Sequence, residues 1–210
     1  ILKFLKNEST ITTMRQLVLG FLVMLTFNAM AQNPFIGTVK YTITDADGNE
    51  NGVVTIHSDG TNFHCQELVG EFSLATLELT EQRSEFMLVT FLGRQLALAT
   101  PAEKFNIRSI PESMHTAPAN AVLGLNCKQT VCAEGVVTYS PDYLLNYRLL
   151  PAVPGLPVEF VVKSDLGTRK YTLSEIDHTE PETSIFSIPE GFSVVGSDEL
   201  MHIFDGMTAE

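Results

Sequence analysis

From Phe35 onward the apolar residues of this chain return at every second position, and a period of two is the repeat of a strand with unlike faces. Phe35, Gly37, Val39, Tyr41 and Ile43 alternate with Thr38, Lys40, Thr42 and Thr44. Asp47-Gly48 and Asn51-Gly52 then punctuate the pattern. Val54 and Ile56 lead to Asp59-Gly60, a pair that predicts a type I′ two-residue turn. Beyond it Thr61, Phe63 and Cys65 resume the inward face, and Asn62, His64 and Gln66 point outward. His57 and His64 flank this hairpin on its polar side, near each other across the strands.

The same reading continues along the chain. Phe72 and Leu74 give way to Leu77 and Leu79, a change of phase that predicts a bulge near Ala75. Glu81-Gln82-Arg83-Ser84 is a turn. Phe86 to Leu92 is apolar on both faces, as in a strand covered on each side. Gly93-Arg94 turns the chain into Leu96 and Leu98, and Phe105 and Ile107 mark a shorter extended piece. Residues 110–123, with Pro111 and Pro118, predict a loop with a helical turn. Strands resume at 124–132 and 136–140, Pro141 to Pro157 is an irregular crossing, and 158–162 with 169–177 form a last hairpin. Ser197 is an N-cap candidate for a closing helix with Leu200, Met201, Ile203 and Phe204 on its apolar side. The expected fold is mostly β. It is a strongly curved antiparallel sheet or half-open barrel of about 10–11 strands with one or two short helices.

Before this pattern begins, Met14-Arg15-Gln16 precedes an apolar run from Leu17 to Phe27, and Ala29-Met30-Ala31 follows. A basic head, a short apolar stretch and an A-x-A ending describe a secretory signal peptide. The run is too short for a helix across a bilayer, which takes roughly 20 residues. The expected organisation is an upstream extension at 1–13, a signal peptide at 14–31 and a single β domain at 32–210. No later segment is long and apolar enough to span a membrane as a helix, so a soluble exported monomer is expected.

Charge narrows the partners. The 210 residues carry 13 Lys+Arg against 25 Asp+Glu, a formal charge of −12. That balance disfavours nucleic acid and anionic membrane surfaces, which both call for concentrated Lys and Arg. Three cysteines, Cys65, Cys127 and Cys132, are too few for a disulfide-built scaffold, and no C-x-x-C is present. Cys127 and Cys132 are five apart, on opposite faces of a continuous strand. Any bridge is expected to join Cys65 to Cys127 or Cys132. The other reading makes all three small buried hydrophobes.

Several segments share a pattern. Phe35-Ile36-Gly37-Thr38-Val39-Lys40-Tyr41 resembles the opening of an exported bacterial family related to the GLPGLI proteins, grouped with the LolA/LolB-like lipoprotein-carrier superfamily. Gly124-Leu125-Asn126-Cys127-Lys128 and Tyr139-Ser140-Pro141-Asp142 are similar to its middle, Gly155-Leu156-Pro157-Val158-Glu159-Phe160 to its Gly-Leu-Pro strand, and Phe186-Ser187-Ile188-Pro189-Glu190-Gly191-Phe192 to its ending. The second half of the GLPGLI motif is absent, so a neighbouring group fits better. The resemblance implies a LolA-like half-closed barrel with an apolar concave face, and relatives that carry lipid or lipoprotein acyl chains. It also implies the periplasm or cell surface of a Gram-negative bacterium.

Motifs for chemistry are sparse. Asp45-Ala46-Asp47-Gly48-Asn49 has the alternating oxygens of a calcium loop, but an EF-hand register would place Glu50 and Ile56 where Gly and Glu are needed. A turn explains these residues without a metal. His57 and His64 would need a third ligand to hold zinc. No Gly-x-Ser-x-Gly elbow, H-E-x-x-H or phosphate loop occurs, so no catalytic residue, metal or cofactor is expected. The remaining signal is apolar: Phe63, Phe72, Phe86, Leu88, Phe91, Leu96 and Leu98 are candidate ligand-lining residues. The expected function is a non-enzymatic carrier that binds a lipid or lipidated protein in a concave β cavity. The alternative is an envelope interaction module with a packed core, and a hydrolase with a dispersed site stands third.

Overall fold

The computed structural model describes residues 32–70, 72–91, 93–100, 104–106, 109–111, 114–132, 135–164 and 167–196. The extension and signal peptide expected at 1–13 and 14–31, and the helix expected after Ser197, lie outside these residues. Among the described residues twelve strands form one open sheet in the order β12-β6-β5-β4-β3-β2-β1-β11-β10-β9-β8-β7. They are β1 (Ile36–Thr44), β2 (Glu50–Asp59), β3 (Asn62–Val69), β4 (Phe72–Leu79), β5 (Ser84–Phe91) and β6 (Arg94–Ala99), followed by β7 (Thr116–Val122), β8 (Leu125–Cys132), β9 (Gly135–Ser140), β10 (Leu156–Ser164), β11 (Gly167–Asp177) and β12 (Ser193–Val195). The mostly β expectation holds, but the sheet does not close into a barrel. Among the described residues there is no α-helix, and a 3-10 turn spans Thr183–Phe186.

Period-two alternation builds the inner face. Val39, Tyr41 and Ile43 of β1, Val54 and Ile56 of β2, and Phe63 and Cys65 of β3 join one core with Cys127, Tyr139, Val158, Phe160 and Leu173. The sheet curves around this core. β3 and β11 are separated by β1 and β2, about 14 Å in a flat sheet, yet Arg169 reaches Glu67 at 3.4 Å. The irregular crossing after β9 fills the hollow. Leu145, Tyr147, Leu150 and Val153 are all buried in the core, and the Tyr147 ring centroid lies 5.5 Å from that of Phe63. At its start the crossing pairs with the chain before β1, where the Phe35 amide donates to the Leu144 carbonyl at 2.8 Å.

Several local expectations are corrected. The Asp59-Gly60 turn is not type I′, which needs positive φ at both residues; only Gly60 has it, at φ 94. Instead the Asp59 carboxylate accepts the amides of Thr61 and Asn62 at 2.8 and 2.7 Å. No bulge occurs at Ala75, since β3 and β4 pair in unbroken register from Asn62↔Leu79 to Val69↔Phe72. β4 shifts its apolar phase because it is covered on both faces. Thr76 and Glu78 are buried with the β3 residues Cys65 and Phe63 opposite them, and Leu77 and Leu79 are buried on the other side.

β7 lies where a loop was expected. Its side chains are nearly all exposed at the sheet's edge, so no alternation marks it. The piece at Phe105 is not a strand, although Phe105 itself is buried. β8 also slips phase: Leu125, Cys127 and Thr130 are buried, and Cys132 packs against the same core as Cys127. Among the described residues no disulfide joins Cys65, Cys127 and Cys132.

Candidate binding site

The outer face carries the candidate site. One row of cross-strand neighbours runs Asp177, Thr38, His57, His64, Leu77, Phe86 and Ala99, from β11 to β6. The chain leaving β11 crosses over this row as a strap and returns at the far end as β12, which pairs parallel to β6. The strap's Phe186 is buried with Leu77 and Leu79, and Ile185, Ile188 and Phe86 pack on that cluster. Alternation within each strand sets this second apolar surface, and the strap covers part of it.

Between the strap and the β3–β6 part of the sheet lies an open groove of about 870 Å³. That size falls within the range of roughly 300–1,000 Å³ usual for small-ligand sites. Its lining includes His64 and Gln66 of β3, Leu74 and Ala75 of β4, and Met87, Leu88, Val89 and Thr90 of β5. Leu96 and Leu98 of β6 complete the sheet wall, and Ser184, Ile185, Ser187, Pro189 and Phe192 form the strap side. Of the sequence-predicted lining residues, the structure brings Leu88, Leu96 and Leu98 together here. Phe63 is elsewhere, in the inner core. Phe86 packs under the strap. Phe72 and Phe91 belong to β4 and β5, and their side chains lie outside the described residues.

His64 was missed as a lining residue because its period-two phase reads as solvent-facing. In the structure it is 7% exposed. Its ring stacks on that of His57, with centroids 5.9 Å apart. His57 Nδ1 meets the Thr38 hydroxyl at 2.9 Å, whereas His64 Nδ1 is enclosed without a hydrogen-bond partner. Burial holds both imidazoles below their ordinary pKa. Lys40 adds to the effect at His57, and His57 adds to it at His64. Among the described residues no group of three or more His, Cys, Asp or Glu is placed to hold a metal ion.

The comparisons with known proteins assign neither a family nor a function. No family model matches the chain. No curated protein matches it either. Among solved structures it is similar to the structure of PNGF-II in a C2 crystal form, with a TM-score of 0.40 and 12% sequence identity. The match covers 79% of this chain and 31% of that one, so the chain spans about a third of the neighbour's length. A likeness of that degree carries no functional assignment.

On the inner face the polar groups form a buried network. Tyr147 and Thr76 share a hydroxyl–hydroxyl hydrogen bond. The Cys65 thiol joins them and is pushed up to about 12 by burial. Glu78 and Glu85 are neighbours across β4 and β5. Glu85 binds the Arg148 guanidinium at 2.6 Å, whereas burial, with the Glu85 charge adding to it, raises Glu78 to about 7. This carboxylate pair borders no groove described above. Asp45 accepts the amides of Asp47 and Asn49, each at 2.9 Å, as the acceptor of its turn.

Proposed function

We propose that this chain is a non-enzymatic, exported binding protein that holds an apolar ligand in the outer-face groove between the β3–β6 strands and the strap. The groove's largely apolar lining carries this reading. The inner hollow is already occupied by the crossing residues Leu145, Tyr147, Leu150 and Val153. The ligand's place therefore differs from the concave cavity expected from sequence. Each methylene that enters would gain roughly 0.8 kcal/mol. Export rests on the leader pattern at 14–31, and kinship with the LolA-like carriers on the ordered blocks from Phe35 to Phe192. Among the described residues no helix is long and apolar enough to cross a membrane.

The packed inner core supports a second reading, an envelope interaction module without a small ligand. Native mass spectrometry of protein purified without detergent, followed by solvent extraction, separates the two. A co-purifying mass of acyl-chain size supports binding. A clean apo mass, with no thermal shift on adding lipid, favours the interaction module.

A further inference from the structure

We infer that the groove selects an uncharged single-chain amphiphile, an alkyl chain ending in a hydroxyl or amide, over carboxylate and alkylammonium ions of the same chain length. The inference rests on the binding reading above and names the class of ligand it would take.

Charge decides it. No Lys, Arg, Asp or Glu lines the groove among the described residues. An ionised head group buried there would lose its hydration without gaining a partner, and unpaired charge is far costlier to bury than a hydrogen-bonded neutral group. The chain's formal charge of −12 opposes anions further. The groove is nevertheless not wholly apolar. Gln66, Thr90, Ser184 and Ser187 offer neutral polar groups. His64 stands in its wall nine-tenths buried, with an unpartnered ring nitrogen. Both stacked imidazoles are held toward their neutral form by burial, so His64 provides a hydrogen-bonding site and not a cation. A hydroxyl both donates and accepts, and so matches imidazole in either tautomer.

The test uses the uncharged fluorophore N-phenyl-1-naphthylamine bound to the full chain at pH 7.5, displaced by 1-decanol, decanoate or decylamine. Decanol is expected to displace it at least tenfold more effectively than either ion. Equal potency of the three would place the head group in water and overturn the inference, as would a preference for decanoate or decylamine. In His64→Leu, which removes a buried unpartnered polar atom, the affinity for decanol relative to that for the fluorophore is expected to fall about fivefold. An unchanged relative affinity in that variant would overturn the role of His64. Absence of fluorophore binding by the wild-type chain would instead count against the binding reading itself.

Discussion

Glu78 and Glu85 stand directly opposite each other on β4 and β5, both 4% exposed, and Glu85 alone makes an ion pair with Arg148. The Arg148 amide donates to Glu78, but burial and the Glu85 charge outweigh it and raise Glu78 to about 7. The folded pKa thus lies above the unfolded value near 4.5. The stability Glu78 contributes is full below pH 4.5 and is lost as pH rises through 7. Glu78→Gln should therefore stabilise the fold at pH 8 relative to wild type, by about 2–3 kcal/mol, and much less at pH 4.5. Denaturant melts of both proteins across this range check it; a pH-independent difference would contradict the assignment.

Arg148 holds the crossing to β5 through the same pair. Arg148→Met leaves the buried Glu85 carboxylate without its cation. Because Arg148 is itself 39% exposed, the expected cost is about 2 kcal/mol, below the full range for a buried pair. The double variant Arg148→Met/Glu85→Gln should recover part of the loss in chemical denaturation. A double variant less stable than Arg148→Met alone would show that Glu85 has other essential partners.

The stacked histidines act with the opposite sign. Their folded pKa values lie below the unfolded value near 6.5, so their contribution is present above pH 6.5 and is lost as pH falls through the folded values. In the wild-type profile this slope opposes that of Glu78 where the two windows overlap. His64→Leu should therefore resist acid unfolding better than wild type, with a midpoint at lower pH by circular dichroism. An unshifted midpoint would show that His64 titrates freely.

Gly155 faces β9 so closely that an added Cβ would lie 2.2 Å from the Ser140 carbonyl oxygen and 2.5 Å from the Tyr139 ring. The Gly-Leu-Pro strand seen in the sequence therefore has a local steric cause. Leu156 and Pro157 pair with Ser140 and Tyr139, and the Pro157 carbonyl accepts the Tyr41 hydroxyl at 2.8 Å. Gly155→Ala should destabilise by roughly 1–3 kcal/mol, the usual cost of overpacking. A melting temperature equal to that of wild type would mean that the backbone yields there freely.

Strands whose faces differ were legible in the sequence. β1, β2 and β3 alternate because one side packs into the core and the other does not, and the Asp59-Gly60 hairpin was located although its turn type was not. Strands with like faces were harder to read. β7 is exposed along most of its length, and the three residues of β12 are too few to show a period. The site was half legible: Leu88, Leu96 and Leu98 are apolar in sequence and line the groove. His64 is hidden by a strap more than a hundred residues away, and no local pattern announces that cover. The segment from Pro141 to Pro157 reads as an irregular crossing, but its filling of the inner hollow depends on Tyr147 meeting Phe63 and Thr76 from distant strands.

Thr90 and Ser187 are exposed residues of the groove wall, so Thr90→Trp and Ser187→Trp would fill it without disturbing the core. Tyr147→Phe alters the inner face alone. Titration of N-phenyl-1-naphthylamine into all three variants and wild type is the most direct measurement. Binding should weaken at least tenfold in both Trp variants, with melting temperatures near wild type, and remain unchanged in Tyr147→Phe. Wild-type affinity in the two Trp variants would place the ligand elsewhere and contradict the account.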